Sequence, residues 1–103
     1  MDMQLKRGLL EICVLAILNQ GDSYGYQIVK DADACVELSE STLYPILRRL
    51  ETTQCLTVYS QEHNGRLRKY YSITEQGREK LHAFDSDWNE LLRIYHFIIL
   101  NLI

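Results

Sequence analysis

An Asn64-Gly65 pair inside His63–Leu67 separates LTVYSQE (56–62) from RKYYSI (68–73), two runs rich in β-formers. Asn-Gly favours the tight turn of a hairpin, because both residues tolerate positive φ. Everything ahead of this hairpin reads as helix. Leu5 to Asn19 is apolar on nearly every side, as a buried central helix is, and Gly21 stands just past its end, where helices favour glycine. Ser23 is placed to cap a second helix carrying Ile28, Val29 and Ala32 on one side. VEL (36–38) makes a short extended connection to Ser39, which caps the third. Three helices followed by a two-stranded hairpin is the order of a winged helix-turn-helix, mainly α with a small β-hairpin. With 103 residues, 47% of them hydrophobic, the chain is long enough for one small core and too short for two.

The third helix, ESTLYPILRRLE (40–51), repeats Leu43, Leu47 and Leu50 at helical spacing and puts Arg48 and Arg49 on other faces. Pro45 stands inside it. A proline beyond the first turn lacks the amide hydrogen, crowds the carbonyl four residues back, and costs ~3 kcal/mol in an ordinary helix. In a winged helix the start of this helix enters the major groove of double-stranded DNA, where amides and short polar side chains face bases and phosphates. Ser39, Ser41 and Thr42 supply the short polar groups, and Tyr44 and Arg48 reach further. Pro45 stiffens the approach and leaves one carbonyl free for water or a side chain. The plainer account is a kink accommodated by local packing.

Net charge is −3, the wrong sign for nucleic acid, but its distribution matters more than its total. Residues 31–40 carry only Asp31, Asp33, Glu37 and Glu40, whereas 41–50 carry only Arg48 and Arg49 and 63–72 only Arg66, Arg68 and Lys69. The basic charge therefore lies on the third helix and on the tip and return strand of the hairpin, where Arg66, Arg68 and Lys69 point to phosphate contact. Tyr70 and Tyr71 are expected to pack across the hairpin.

Thr74 caps a long last helix whose apolar residues Leu81, Phe84, Trp88, Leu91, Tyr95, Ile98 and Leu102 form a heptad seam. A lone helix cannot bury both this seam and Leu92, Ile99 and Ile103, so a second copy of the chain is the natural cover. The reading divides the chain into a DNA-binding winged helix, residues 1–73, and a dimerisation helix, residues 74–103.

Other chemistries find little support. Cys13, Cys35 and Cys55 are odd in number, contain no Cys-x-x-Cys pair, and read as reduced core residues. His63, His82 and His96 lack ligand spacing, and no nucleophile, phosphate loop or close carboxylate pair stands out. No metal, cofactor or enzymatic activity is expected. MDMQLKRGLLEICVLAIL has no small-residue cleavage site and carries Glu11 within its apolar run. Ile94–Ile103 supplies only half the ~20 residues of a membrane span, so the expected place is the cytoplasm. Two rivals stay open. One is a winged-helix protein-interaction module without DNA, which has no evident use for Arg66, Arg68 and Lys69. The other is a thiol- or metal-responsive regulator, which needs a close Cys or His cluster that linear spacing does not provide.

LKRGLLEICVLAIL, SYGYQIV, STLYPILRRLE and RLRKYYSITEQG together resemble the PadR family of bacterial transcription regulators, in the same order and over nearly the whole chain. TLYPILRRLE and RKYYSIT are specific together, while YGY alone is weak. Ser41 departs from the glycine that the family commonly places before Thr-Leu-Tyr, which alters how closely the backbone approaches DNA. The resemblance implies a homodimeric repressor whose last helix packs against the partner, each third helix and wing reading half of a near-palindromic operator. It also implies that Tyr24, in YGY, touches a phosphate, the rival being that it braces the second helix, while Gly25 permits close helix contact. The chain is similar to short members that resemble multidrug sensors, and this resemblance implies that a tryptophan of the last helix stacks a planar aromatic effector at the dimer interface. The candidate is Trp88, with Gly8, Glu11 and Ile12 as lining; if Glu11 lines that gap, it favours a cationic guest. The rival is a tryptophan that fills the dimer core.

Overall fold

The computed structural model describes all 103 residues. Its elements run α1 (Met3–Asn19), α2 (Gly25–Ala32), α3 (Glu40–Thr52), β1 (Leu56–His63), β2 (Arg66–Ile73) and α4 (Glu75–Leu100). This is the expected order of a winged helix with a long C-terminal helix, and no helix is long and apolar enough to cross a membrane.

Local chemistry accounts for most boundaries. Asp2 starts α1 ahead of the apolar pattern, because its Oδ2 accepts the backbone N–H groups of Gln4 and Leu5, each at 3.1 Å. Ser39 caps α3 by accepting the Thr42 N–H at 3.3 Å, and Thr74 caps α4 by accepting the Gly77 N–H at 3.0 Å. Ser23 does not cap α2. The cap is Tyr24, with no side-chain bond, and Ser23 is instead bound to the wing. Its N–H donates to the Tyr71 carbonyl at 3.1 Å and its carbonyl accepts the Tyr71 N–H at 2.7 Å.

The hairpin is antiparallel, with Leu56 opposite Ile73, Val58 opposite Tyr71, Tyr59 opposite Tyr70 and His63 opposite Arg66. Asn64 at φ +52° and Gly65 at φ +79° close it, the conformation that Asn-Gly accommodates. Tyr70 stacks on Tyr59, ring centroids 5.5 Å apart, on the outer face; Tyr71 is buried on the other, opposite half-buried Val58.

The core joins Leu10, Val14, Leu15 and Leu18 of α1, Ile28 of α2, Leu43, Ile46, Leu47 and Leu50 of α3, and Leu56, Tyr71 and Ile73 of the hairpin. Each buried aliphatic contributes ~2 kcal/mol relative to exposure, which fixes the face that α3 turns inward and so the face it turns out. Of the cysteines only Cys55 is a core residue; Cys13 is half-buried and Cys35 exposed, because Cys35 falls in the polar turn after α2.

α4 gives the molecule its length, 61 Å against 26 and 21 Å. Its first turns are built into the core through buried Gly77 and through Leu81, which packs on the chain's own hydrophobic cluster. Beyond them Trp88, Leu91, Tyr95 and Ile98 are exposed. The helix ends at Leu100, where Asn101 folds its amide back to donate to the Phe97 carbonyl at 2.8 Å. Leu102 therefore lies past the helix, and the helical seam stops at Ile98.

Candidate nucleic-acid interface

Burial of Leu43, Ile46, Leu47 and Leu50 leaves Ser41, Pro45 and Arg48 on the outward ridge of α3, at 100° per residue. Thr42 and Arg49 lie on one flank of that ridge and Tyr44 on the other. The helix runs unbroken through Pro45 to Thr52. The carbonyl that proline leaves unserved belongs to Ser41, itself an exposed residue, so the missing bond falls on the solvent side. At the start of α3, Ser39 Oγ lies 3.0 Å from both Ser41 Oγ and Thr42 Oγ1. The three short polar residues are thus one hydroxyl cluster.

On the Tyr44 flank a cleft of about 530 Å³ opens between the start of α2, α3 and the wing's return strand, lined by Tyr24, Tyr44, Arg68, Lys69 and Glu40. Gly25 allows it to exist in this form. A Cβ there would sit 2.6 Å from the Tyr44 hydroxyl, so glycine lets the exposed Tyr44 ring keep this position, and any other residue would push its end aside. Arg68 is held over the Tyr24 ring, its Cζ 3.9 Å from the centroid. Tyr24 meets Tyr70 edge-on at 5.7 Å, Tyr70 stacks on Tyr59, and the Tyr59 hydroxyl donates to Asp22 Oδ2 at 2.7 Å. A chain of rings therefore runs from the loop before α2 to the wing and carries the guanidinium on its face.

The same contacts shift two tyrosines. The hydrogen bond to Asp22, then burial, raises the Tyr59 hydroxyl above its ordinary pKa. Burial first, then the neighbouring Tyr44 and Glu51, raises Tyr71 against the lowering effect of Arg48. Arg48 is thus close enough to the wing to be felt by Tyr71. Arg66 lies exposed at the wing tip.

The Thr42 flank faces α1 across a groove of about 580 Å³ that includes Lys6, Arg7, Pro45 and Arg49. Arg49 is paired with buried Glu11, its Nε 3.0 Å from Oε1 in an ion pair that is not a hydrogen bond, while Lys80 Nζ donates to Glu11 Oε2 at 3.4 Å. This corrects the expectation that Glu11 favours a cationic guest beside Trp88, since its charge is already balanced within the fold. Gly8 faces open space, Ile12 is half-buried, and Phe84 and Trp88 stack at 6.2 Å between centroids.

Sequence reasoning found the α3 and wing residues that the fold brings together. Lys6 and Arg7, adjacent in the sequence, also line the groove beside α3, and the Asp22–Tyr59 bond links residues 37 apart and leaves no local mark. No group of three or more His, Cys, Asp or Glu side chains is placed to hold a metal ion. Burial, then Cys35, raises the Cys13 thiol, the opposite of what a reactive thiolate requires.

Residues 14–83 match the family described as the transcriptional regulator PadR-like family. A solved protein of Streptococcus mutans is 40% identical, with 92% of this chain and 90% of that one aligned at a TM-score of 0.75. A PadR family transcriptional regulator from Eggerthella lenta is 33% identical over 94% of this chain and 87% of its own, at a TM-score of 0.82. PadR of Bacillus subtilis in complex with operator DNA shares the fold at 23% identity, TM-score 0.69, over 74% of this chain and 46% of that one.

Proposed function

The chain belongs to the PadR-like family of transcriptional regulators, and from that premise we propose that it is a homodimeric repressor that binds a near-palindromic operator in the cytoplasm. One observation carries the reading. The outward ridge of α3 lies beside the wing cations, with Arg68 held over Tyr24. Ser39, Ser41, Thr42, Tyr44, Pro45 and Arg48 present α3 to the groove. Arg66, Arg68, Lys69 and Tyr24 serve the phosphates, none of the three cations being engaged in an ion pair. The related PadR bound to operator DNA supports duplex DNA as the partner.

In this reading residues 1–73 contact DNA and 74–103 make the dimer. Phe84, Trp88, Leu91, Tyr95 and Ile98, exposed or half-exposed on α4, pack against the second copy. Leu81, already on its own core, borders that contact. Trp88, with Gly8 and Ile12 of α1, admits a planar aromatic effector. An effector that binds the dimer better off DNA than on it lowers operator affinity by the ratio of its two affinities. Quenching of the single tryptophan by planar dyes, lost in Trp88→Ala, tests that step.

The DNA reading is tested by changing Arg66, Arg68 and Lys69 to Ala. Binding to random and operator duplexes weakens alike, and the dependence on salt becomes shallower, because phosphate contacts carry little sequence information. Unchanged affinity and salt slope would return the wing to a solvated loop and favour a protein-interaction module.

A further inference from the structure

We propose that Lys6 and Arg7 of α1 form a second phosphate-binding edge, so that α3 is gripped on both sides when it enters the major groove. The inference rests on the DNA-binding reading above and extends it to a surface outside the helix-turn-helix and wing. The outward ridge of α3 runs between two clefts. The wing's Arg68 and Lys69 line the one on the Tyr44 flank, and Lys6, Arg7 and Arg49 line the one on the Thr42 flank.

A helix in the major groove has a sugar-phosphate backbone on each side, about 12 Å apart across the groove. A wing serves one wall. The α1 edge carries charge of the right sign for the other, beside the same Thr42 and Pro45 that the ridge presents.

Nothing inside the fold uses these two charges. The ion pairs of the chain are Arg49–Glu11, Arg78–Glu75 and Lys80–Glu11; Lys6 and Arg7 are in none of them, and both are exposed. Arg7 stands four residues before Glu11, the spacing at which opposite charges pair on a helix, yet Glu11 is taken by Arg49 and Lys80. Their place near the start of α1 gains nothing from the helix dipole, which favours anions there, and the first turn of α1 carries no acidic residue. Arg49, paired with Glu11 at 3.0 Å yet 58% exposed, lines the same groove beside them.

The test is the salt dependence of binding to a labelled random duplex and to the operator, for the intact chain, Lys6→Gln/Arg7→Gln and the charge-keeping Lys6→Arg/Arg7→Lys. The Gln variant takes two cations from each protomer, four from the bound dimer, and is expected to lose about 4 from the magnitude of the log–log salt slope, roughly 1 per cation, with affinity down on the order of a hundredfold on both duplexes. The charge-keeping variant retains the slope, and combining the Gln changes with the wing substitutions lowers it further. If the intact chain binds with a steep slope and the Gln variant keeps both slope and affinity, the second edge is wrong while the DNA reading stands. If the intact chain binds no duplex, the DNA reading fails and takes this inference with it.

Discussion

Glu11 of α1 and Arg49 of α3 meet at 3.0 Å, and Lys80 of α4 reaches the other carboxylate oxygen at 3.4 Å. The pairing is unequal, because the Arg49 and Lys80 side chains are 58% and 41% exposed and Glu11's is 7% exposed. Either cation can rehydrate when its partner is lost, but the carboxylate cannot. Removing both cations strands a buried charge, whereas neutralising Glu11 only releases two cations to water. Arg49→Met/Lys80→Met is expected to lose roughly 3 kcal/mol of unfolding free energy, and adding Glu11→Gln to recover most of it. Urea unfolding at fixed protein concentration measures both; no recovery in the triple variant would show that water reaches the carboxylate.

Two glycines should respond to alanine with opposite signs. A Cβ on Gly77 falls on the Cys55 backbone carbonyl and 2.8 Å from Ile73 Cγ1, where backbone cannot give way, while one on Gly8 meets nothing within 4 Å. Both sit in helices, so alanine gains ~1 kcal/mol of helix propensity at each. At Gly77 overpacking of 1–3 kcal/mol or more, in order of magnitude, outweighs that gain. Thermal melting should therefore fall for Gly77→Ala and hold or rise for Gly8→Ala.

Features set by near neighbours were legible in the sequence. Ser39 and Thr74 cap their helices through amides three residues on, and Asn64-Gly65 closes the hairpin by its own backbone preference. Ser23 was misread because its partners, the Tyr71 amide and carbonyl, lie far along the chain and no spacing rule reaches them. The same holds for Glu11, whose two cations come from α3 and α4, and for the Asp22–Tyr59 bond that seats the wing. Leu102 continues the heptad spacing, but Asn101 bonds back to Phe97 and ends the helix first. A hydrophobic period marks a face and cannot mark where its helix stops.

The Tyr59–Asp22 bond gives the wing a pH dependence. The bond holds the Tyr59 hydroxyl in its protonated form, raising its pKa above the ordinary 10.0. A group that is more basic in the folded state stabilises fully below its unfolded pKa and loses that stabilisation as pH rises through its folded value. The stability difference between the native chain and Tyr59→Phe is thus present at neutral pH and disappears in alkali above about 10. Melting curves of both proteins across that range check it; a difference that persists in alkali would assign Tyr59 to packing alone.

The exposed seam of α4 makes the sharpest demand on the proposed dimer. Trp88, Leu91, Tyr95 and Ile98 remain exposed on the single chain, along a helix whose far half leaves the core. Each is already about half covered, so completing its burial is worth ~1 kcal/mol, and a two-fold partner covers both copies at once. Symmetry also doubles an error. Ile98→Lys or Leu91→Lys places one new charge from each chain in the contact, and an unpaired ammonium there costs several kcal/mol by the usual scale of burial. Ser86→Lys, exposed on the opposite face of α4, is the matched control with the same change of charge. Sedimentation should show monomers or aggregates for the two seam variants and an intact dimer for Ser86→Lys. Seam variants that sediment as dimers with unchanged melting would move the interface off this face of α4.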